Sequence, residues 1–146
     1  MTAADVVAVE SANERLYGAF ESADLDAMRN LWVDGPLAAM ARCVHPGADV
    51  IVGRESVLRS WALLMANTEY LQFIVTETDT VVEGDLAVVT CTENVLSSSA
   101  ADQSLGAGRA LTTNGFVRVD GEWRIWLHHA SPVLSDAQLD VDKEPS

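Results

Sequence analysis

Basic residues are scarce in this chain. Nine lysines and arginines stand against 22 aspartates and glutamates, a formal net charge of −13. A field of that sign repels polyanions, which excludes nucleic acid as a partner. Cysteine is scarcer still. Cys43 and Cys91 belong to no CxxC pair and read as buried thiols. The three histidines lack metal-ligand spacing, so no metal site is expected. No apolar run approaches the ~20 residues that span a bilayer, so no membrane association is expected. The opening "MTAADVVAVESANERL" has acidic residues and no basic flank, unlike a secretory signal. A cytoplasmic protein is the expectation. Internal repeats, Gly/Ser linkers and low-complexity tracts are also missing.

What remains is a globular composition. Hydrophobic residues make up 49% of 146 and charged residues 21%, enough for one domain with one core. That domain should occupy 1–134, with the acidic stretch 135–146 as a frayed tail. Residues 4–21 place Val6, Val9, Leu16 and Phe20 at helical spacing, with Glu10, Glu14 and Arg15 on other faces. Asp24 can cap a second helix with Met28, Leu31 and Trp32 inward, and "DGP" at 34–36 breaks it. "HPGADVIVG", 45–53, reads as a turn and a short strand. "RESVLRSWALLMAN", 54–67, returns to helix with Val57, Trp61, Leu64 and Met65 on one side.

After residue 68 the pattern turns to strands: "EYLQFIVTETDTVV", "LAVVTCTENVLS", "RALTTNGFVRV" and "EWRIWLHHASP". "SSSAADQSLGAG", 97–108, reads as a surface loop. Helices followed by a long antiparallel sheet define an α+β class. The "DG" at 120–121 is the strongest hairpin signal. A regular register from that turn pairs Arg118 with Trp123, Phe116 with Ile125, Asn114 with Leu127 and Thr112 with His129. These residues then share the inward, more apolar face. His128 falls outward with Trp126, Val117 and Val119. That outward apolar set has no helix left to cover it, and a second subunit is the expected cover, giving a homodimer. Arg118, inward but beside the turn, should pair with an acidic residue at the rim.

The succession of helices, "HP…V.G…V..SW", "GD.AVVT" and "TN.F.R.DG.W.I…HHASP" resembles the nuclear transport factor 2-like superfamily, and within it the SnoaL-like branch. It is also similar to ketosteroid isomerases and to the association domain of calcium/calmodulin-dependent kinases. The resemblance covers about residues 5–134. It implies a cone of the cystatin-like kind, in which a curved, mostly antiparallel sheet wraps the N-terminal helices and encloses a pocket. By position in the motif, the inward histidine of the H-x-S ending falls on His129. The inward polar position falls on Asn114, and an inward charged position falls on Glu93. The strand pattern alone leaves Glu93 and Asn94 equally eligible. No tyrosine stands on the later strands to make the oxyanion hole of ketosteroid isomerases. The aspartate and arginine trio of limonene epoxide hydrolases is missing too.

Two functions from different classes follow. The first is a cofactor-independent isomerase, cyclase or dehydratase acting on an apolar polyketide- or steroid-like molecule. Glu93 and His129 would be its acid–base pair, with Asn114 beside them. Trp32, Trp61, Met65, Thr112 and Phe116 would contact the ligand, and His45 either stands at the pocket mouth or only fixes the turn at Pro46. The second is a non-catalytic binding or dimerisation module. Polar groups converging on an empty cavity favour the first. Polar groups that only satisfy one another in a closed cone favour the second.

Overall fold

The computed structural model describes residues 2–99, 101, 102 and 104–134. The acidic stretch 135–146, expected to fray, lies outside them. Helix α1 (Ala3–Glu21) begins where the Thr2 hydroxyl accepts from the Asp5 amide at 3.0 Å. Its buried positions Val9, Ala12, Asn13, Leu16 and Tyr17 recur at helical period. Asp24 caps α2 (Leu25–Leu31) through the Ala27 amide, as expected. A 3-10 turn, Gly35–Met40, follows with proline in its first turn. Helix α3 (Arg54–Asn67) packs nearby. The Arg54 guanidinium donates to the carbonyls of Arg29, Trp32 and Val33, which closes the exposed end of α2.

Among the described residues the sheet has six strands: β1 (Arg42–Val44), β2 (Ile51–Val52), β3 (Thr68–Glu83), β4 (Leu86–Ser99), β5 (Gly106–Val119) and β6 (Glu122–Pro132). Their order is β2-β1-β6-β5-β4-β3, and only β1–β6 is parallel. The α+β class and the cystatin-like arrangement are as expected. Strand β1 was not legible in the sequence. It is three residues long and exists through its pairing with a strand more than 80 positions away. The expected loop 97–108 is also shorter, since β4 runs to Ser99 and β5 begins at Gly106. Leu16, Met28, Trp32, Trp61, Phe116 and Ile125 fill the space between helices and sheet. Each contributes roughly 1.5–3 kcal/mol by leaving water.

The register of the last hairpin corrects the sequence reading at its most consequential point. The turn is as expected: Asp120 and Gly121 both have positive φ, and Val119 opposes Glu122. Arg118 opposes Trp123 and Phe116 opposes Ile125, also as expected. The ladder then slips. Gly115 pairs with Leu127, Asn114 with His128, Thr113 with His129 and Thr112 with Ala130. Trp126 is the extra residue of a β-bulge. His128 is therefore buried and His129 exposed, the reverse of the regular register. Gly115 makes this possible. A Cβ there would lie 3.0 Å from Trp126 Nε1 and 3.1 Å from Leu127 Cβ, so both side chains occupy the outer side of a residue that has none.

The outer face keeps Trp126, Val117 and Val119 half-buried. Beside them Val81, Leu86 and Val88 are exposed, with Leu86 opposite Val117 and Val81 opposite Val88. At the rim Arg118 bonds Asp5 and Asp85, as expected, and its guanidinium lies over Trp123.

Replacing Gly115 by valine should destabilise the fold by about 1–3 kcal/mol, because the added methyls must displace the Trp126 ring. Chemical denaturation of Gly115→Val measures it. A midpoint equal to wild type would show that Trp126 does not hold the bulge.

Candidate active site

Five buried polar side chains meet between α1 and the concave face of the sheet. Asn13 and Tyr17 stand one helical turn apart on α1. Glu93 comes from β4, Asn114 from β5 and His128 from β6. The Tyr17 hydroxyl donates to Glu93 Oε2 at 2.7 Å. Asn114 Nδ2 donates to Asn13 Oδ1 at 2.8 Å and to the Tyr17 oxygen at 3.2 Å. Asn114 Oδ1 then faces His128 Nδ1 at 2.7 Å. An oxygen acceptor at that place puts the imidazole proton on Nδ1 and leaves the lone pair on Nε2. The result is one directed line of hydrogen bonds from imidazole to carboxyl. Thr112 also acts on Glu93, favouring its charged form, although its hydroxyl makes no hydrogen bond of good geometry.

Burial sets the charge states. It pushes the Glu93 carboxyl above its usual range, against the Tyr17 hydrogen bond, which favours the carboxylate. Burial, then the Glu93 charge, hold the Tyr17 phenol far above its usual value. Burial pushes His128 down to about 3 and His45 down to about 4. Both imidazoles are neutral at neutral pH. Burial pushes the Cys43 thiol up to about 12 and raises the Cys91 thiol as well. Both are free and buried, as expected.

A cavity of about 250 Å³ opens beside this line. Glu93, Tyr17, His45, His128 and Trp61 line it, and Leu16, Phe20, Leu64, Leu71, Phe73 and Val95 complete an apolar wall. A wider groove of about 1170 Å³ runs between α1, α2 and the β5–β6 turn. Its charged groups Arg15, Asp24, Glu122 and Arg124 are not buried, so it lacks the environment that tunes a proton-transferring group. Among the described residues no cluster of three or more His, Cys, Asp or Glu side chains could hold a metal.

Of the residues singled out in the sequence, Glu93 and Asn114 are brought together, two bonds apart through Tyr17. His129 is not with them. It lies exposed on the outer face beside Thr113, so the Glu93–His129 pair does not exist in this fold. The bulge at Trp126 is the physical reason, and His128 takes the inward place. Trp61 and His45 line the cavity. The His45 carbonyl also accepts the Ala48 amide, so the residue closes the turn as well. Thr112 and Phe116 are buried on the concave face but do not line the cavity, and Trp32 is sealed in the core. Met65 packs against the core, while its neighbour Leu64 reaches the cavity. Asn13, Tyr17 and His128 were missed. A signal existed for the first two: Asn13 and Tyr17 continue the apolar stripe of Val9, Leu16 and Phe20, and a polar group on a buried stripe needs a buried partner.

A family model described as a SnoaL-like domain matches residues 9–135, and the chain belongs to that family. A proposed dehydratase of the nuclear transport factor 2-like family from Streptomyces avermitilis is 43% identical, with a TM-score of 0.84 over 92% of this chain and 100% of that one. A proposed calcium/calmodulin-dependent protein kinase type II association domain from Thiobacillus denitrificans is 27% identical, with a TM-score of 0.73 over 86% and 94% of the two chains. A proposed scytalone dehydratase from Novosphingobium aromaticivorans, 11% identical with a TM-score of 0.78 over 90% and 85%, shares the fold alone. The F-box protein SKIP8 of Arabidopsis thaliana is 28% identical over 131 residues, 90% of this chain and 52% of that protein. The chain thus spans about half the length of that relative. No helix among the described residues is long and apolar enough to cross a membrane.

Stability should fall as pH drops from 7 to 5. The unfolded histidines bind protons near 6.5, while folded His45 and His128 stay neutral to about 4 and about 3. The unfolded state therefore holds more protons in that window, and each ring removes up to about 1.4 kcal/mol per pH unit. Glu93 has the opposite sign. Its raised value favours the folded state at low pH, and that contribution is lost as pH rises through the raised value. Denaturation curves at pH 7, 6 and 5 check the sum, and His128→Gln should remove one ring's share of the slope. An unchanged slope in that variant would contradict a buried neutral His128.

Proposed function

We propose that this SnoaL-like protein is a cofactor-independent acid–base enzyme that removes water from a small, largely apolar hydroxy-carbonyl compound, with Glu93 as its proton carrier. The observation that carries this reading is a buried carboxylate, raised by burial and held at one oxygen by Tyr17, facing an apolar cavity. A base whose pKa approaches the working pH transfers protons well, and burial moves Glu93 in that direction. The carboxylate takes the proton from the carbon next to the substrate carbonyl. The electron pair forms the new double bond and expels hydroxide from the adjacent carbon. Glu93 gives its proton to that leaving oxygen, water departs, and the carboxylate is restored. No cofactor enters the balance. The 43%-identical relative from Streptomyces avermitilis, itself a proposed dehydratase, supports the reaction class.

One feature favours a binding module instead: Asn13, Asn114 and His128 satisfy one another. The cavity has not collapsed onto them, which weighs toward chemistry. A panel of β-hydroxy ketones, followed by the absorbance of the enone product, tests it. Glu93→Gln should lower turnover by about 10²–10⁴-fold with ligand binding retained. Activity should fall as acid protonates the carboxylate. Tyr17→Phe, which removes a bond favouring the charged form, should move that fall to higher pH. No turnover across the panel, or Glu93→Gln turning over like wild type, makes the binding-module reading the better one.

We also propose that two copies pair through the outer sheet face. The support is the contiguous apolar set Trp126, Val117, Val119, Val81, Leu86 and Val88. Val88→Glu and Trp126→Glu should yield monomers in light scattering. A wild-type monomer, or a dimer in both variants, would contradict this.

A further inference from the structure

Ser60 fixes His45 much as Asn114 fixes His128. The Ser60 hydroxyl donates to the Val57 carbonyl at 2.6 Å, so its proton is committed. His45 Nε2 lies 3.0 Å from that oxygen and must bring the proton for the bond. Nδ1 therefore carries the lone pair. The Cys43 sulphur sits 3.6 Å from Nε2 and 4.0 Å from Nδ1, so the partner that the protein offers Nδ1 is a thiol, a weak donor. The two rings have centroids 6.2 Å apart, and Trp61 contacts both, at 4.7 Å and 5.3 Å. Both rings line the same cavity as Glu93.

These groups share one chemical character. His128 offers a bare Nε2 and His45 an Nδ1 met only by the weak Cys43 thiol, and neither offers a proton at that nitrogen; the hydroxyls of Thr68 and Ser97 also line the cavity. Among the described residues no lysine or arginine lines the cavity. An anionic ligand would leave water and meet a carboxylate and two lone pairs, and the neutral hydroxyls of Thr68 and Ser97 would not offset the loss as a cation does. A ligand hydroxyl meets an acceptor. The volume of about 250 Å³ equals roughly eight water molecules at ~30 Å³ each, room for one compact ring system.

The geometry points to a neutral compact ring compound bearing two hydroxyl groups as the ligand class, one hydroxyl donating to His128 Nε2 and the second to His45 Nδ1, with His45 as the residue that selects for the second. This rests on the acid–base reading of the same cavity but is tested by binding, without turnover.

Calorimetric titration with phenol, resorcinol, hydroquinone and benzoate separates the possibilities. One of the two diols should bind about five-fold or more tighter than phenol, the worth of one added hydrogen bond. Benzoate should bind at least ten-fold more weakly than phenol. His45→Phe should abolish the preference for the diol and leave phenol binding. Ser60→Ala keeps the ring but releases its tautomer, and should reduce the preference without changing phenol affinity. The preference is read by binding alone, so loss of catalysis and loss of selectivity are read separately. Phenol binding as tightly as both diols, benzoate binding as tightly as phenol, or an undiminished preference in both His45→Phe and Ser60→Ala would overturn the assignment.

Discussion

Asn114 is the constraint on which the interior depends. Its amide is fully buried, and a buried amide must find partners for its donors and its acceptor. It finds them in three residues on two elements: Asn13 and Tyr17 of α1, and His128 of β6. The helix is thereby set against the sheet at one depth and one rotation. The amide also has a direction. With Nδ2 committed to α1, only its oxygen is left for the histidine, and the protonation of that ring follows. Removing one member would leave a charged or polar group unpaired in an apolar interior, which costs more than the bond itself contributes.

That arrangement needs the bulge. Without an extra residue at Trp126, β6 would present Leu127 to Asn114, and the amide oxygen would face a hydrocarbon. Gly115 is thus linked to the site although it touches none of its ligand-facing atoms. It makes room outside the sheet for Trp126, the slip turns His128 inward, and His128 completes the amide. The same slip turns Leu127 to the outer face, beside a Trp126 that the regular register already places there. The completed site and the added leucine on the outer surface are two consequences of one irregularity.

Much of the fold was legible in the sequence. Helical spacing in 4–21 and 54–67, the capping Asp24, the DG turn and the β-branched runs after residue 68 are local signals, and local structure follows them. Glu93 and Asn114 were placed inward correctly, Glu93 by resemblance and Asn114 by counting from the turn across a stretch where counting still held. His129 was misplaced because a bulge leaves no periodic trace. Alternation remains locally intact on either side, and the phase error appears only in three dimensions. The one hint was a glycine, Gly115, inside an otherwise β-rich run. Tyr17 stands on α1, away from the later strands where the resemblance places an oxyanion-hole tyrosine, so the motif does not point to it. The parallel strand β1 was invisible for a different reason: three residues carry no pattern of their own.

The tautomer of His128 tests the central claim most directly. NMR of its ring nitrogens distinguishes a protonated Nδ1 with a bare Nε2 from the reverse. The line of bonds from His128 through Asn114 and Tyr17 to Glu93 predicts a proton on Nδ1, a pyridine-like Nε2, and no change between pH 8 and 5. A proton on Nε2, or a ring that titrates near its ordinary value of 6.5, would contradict it.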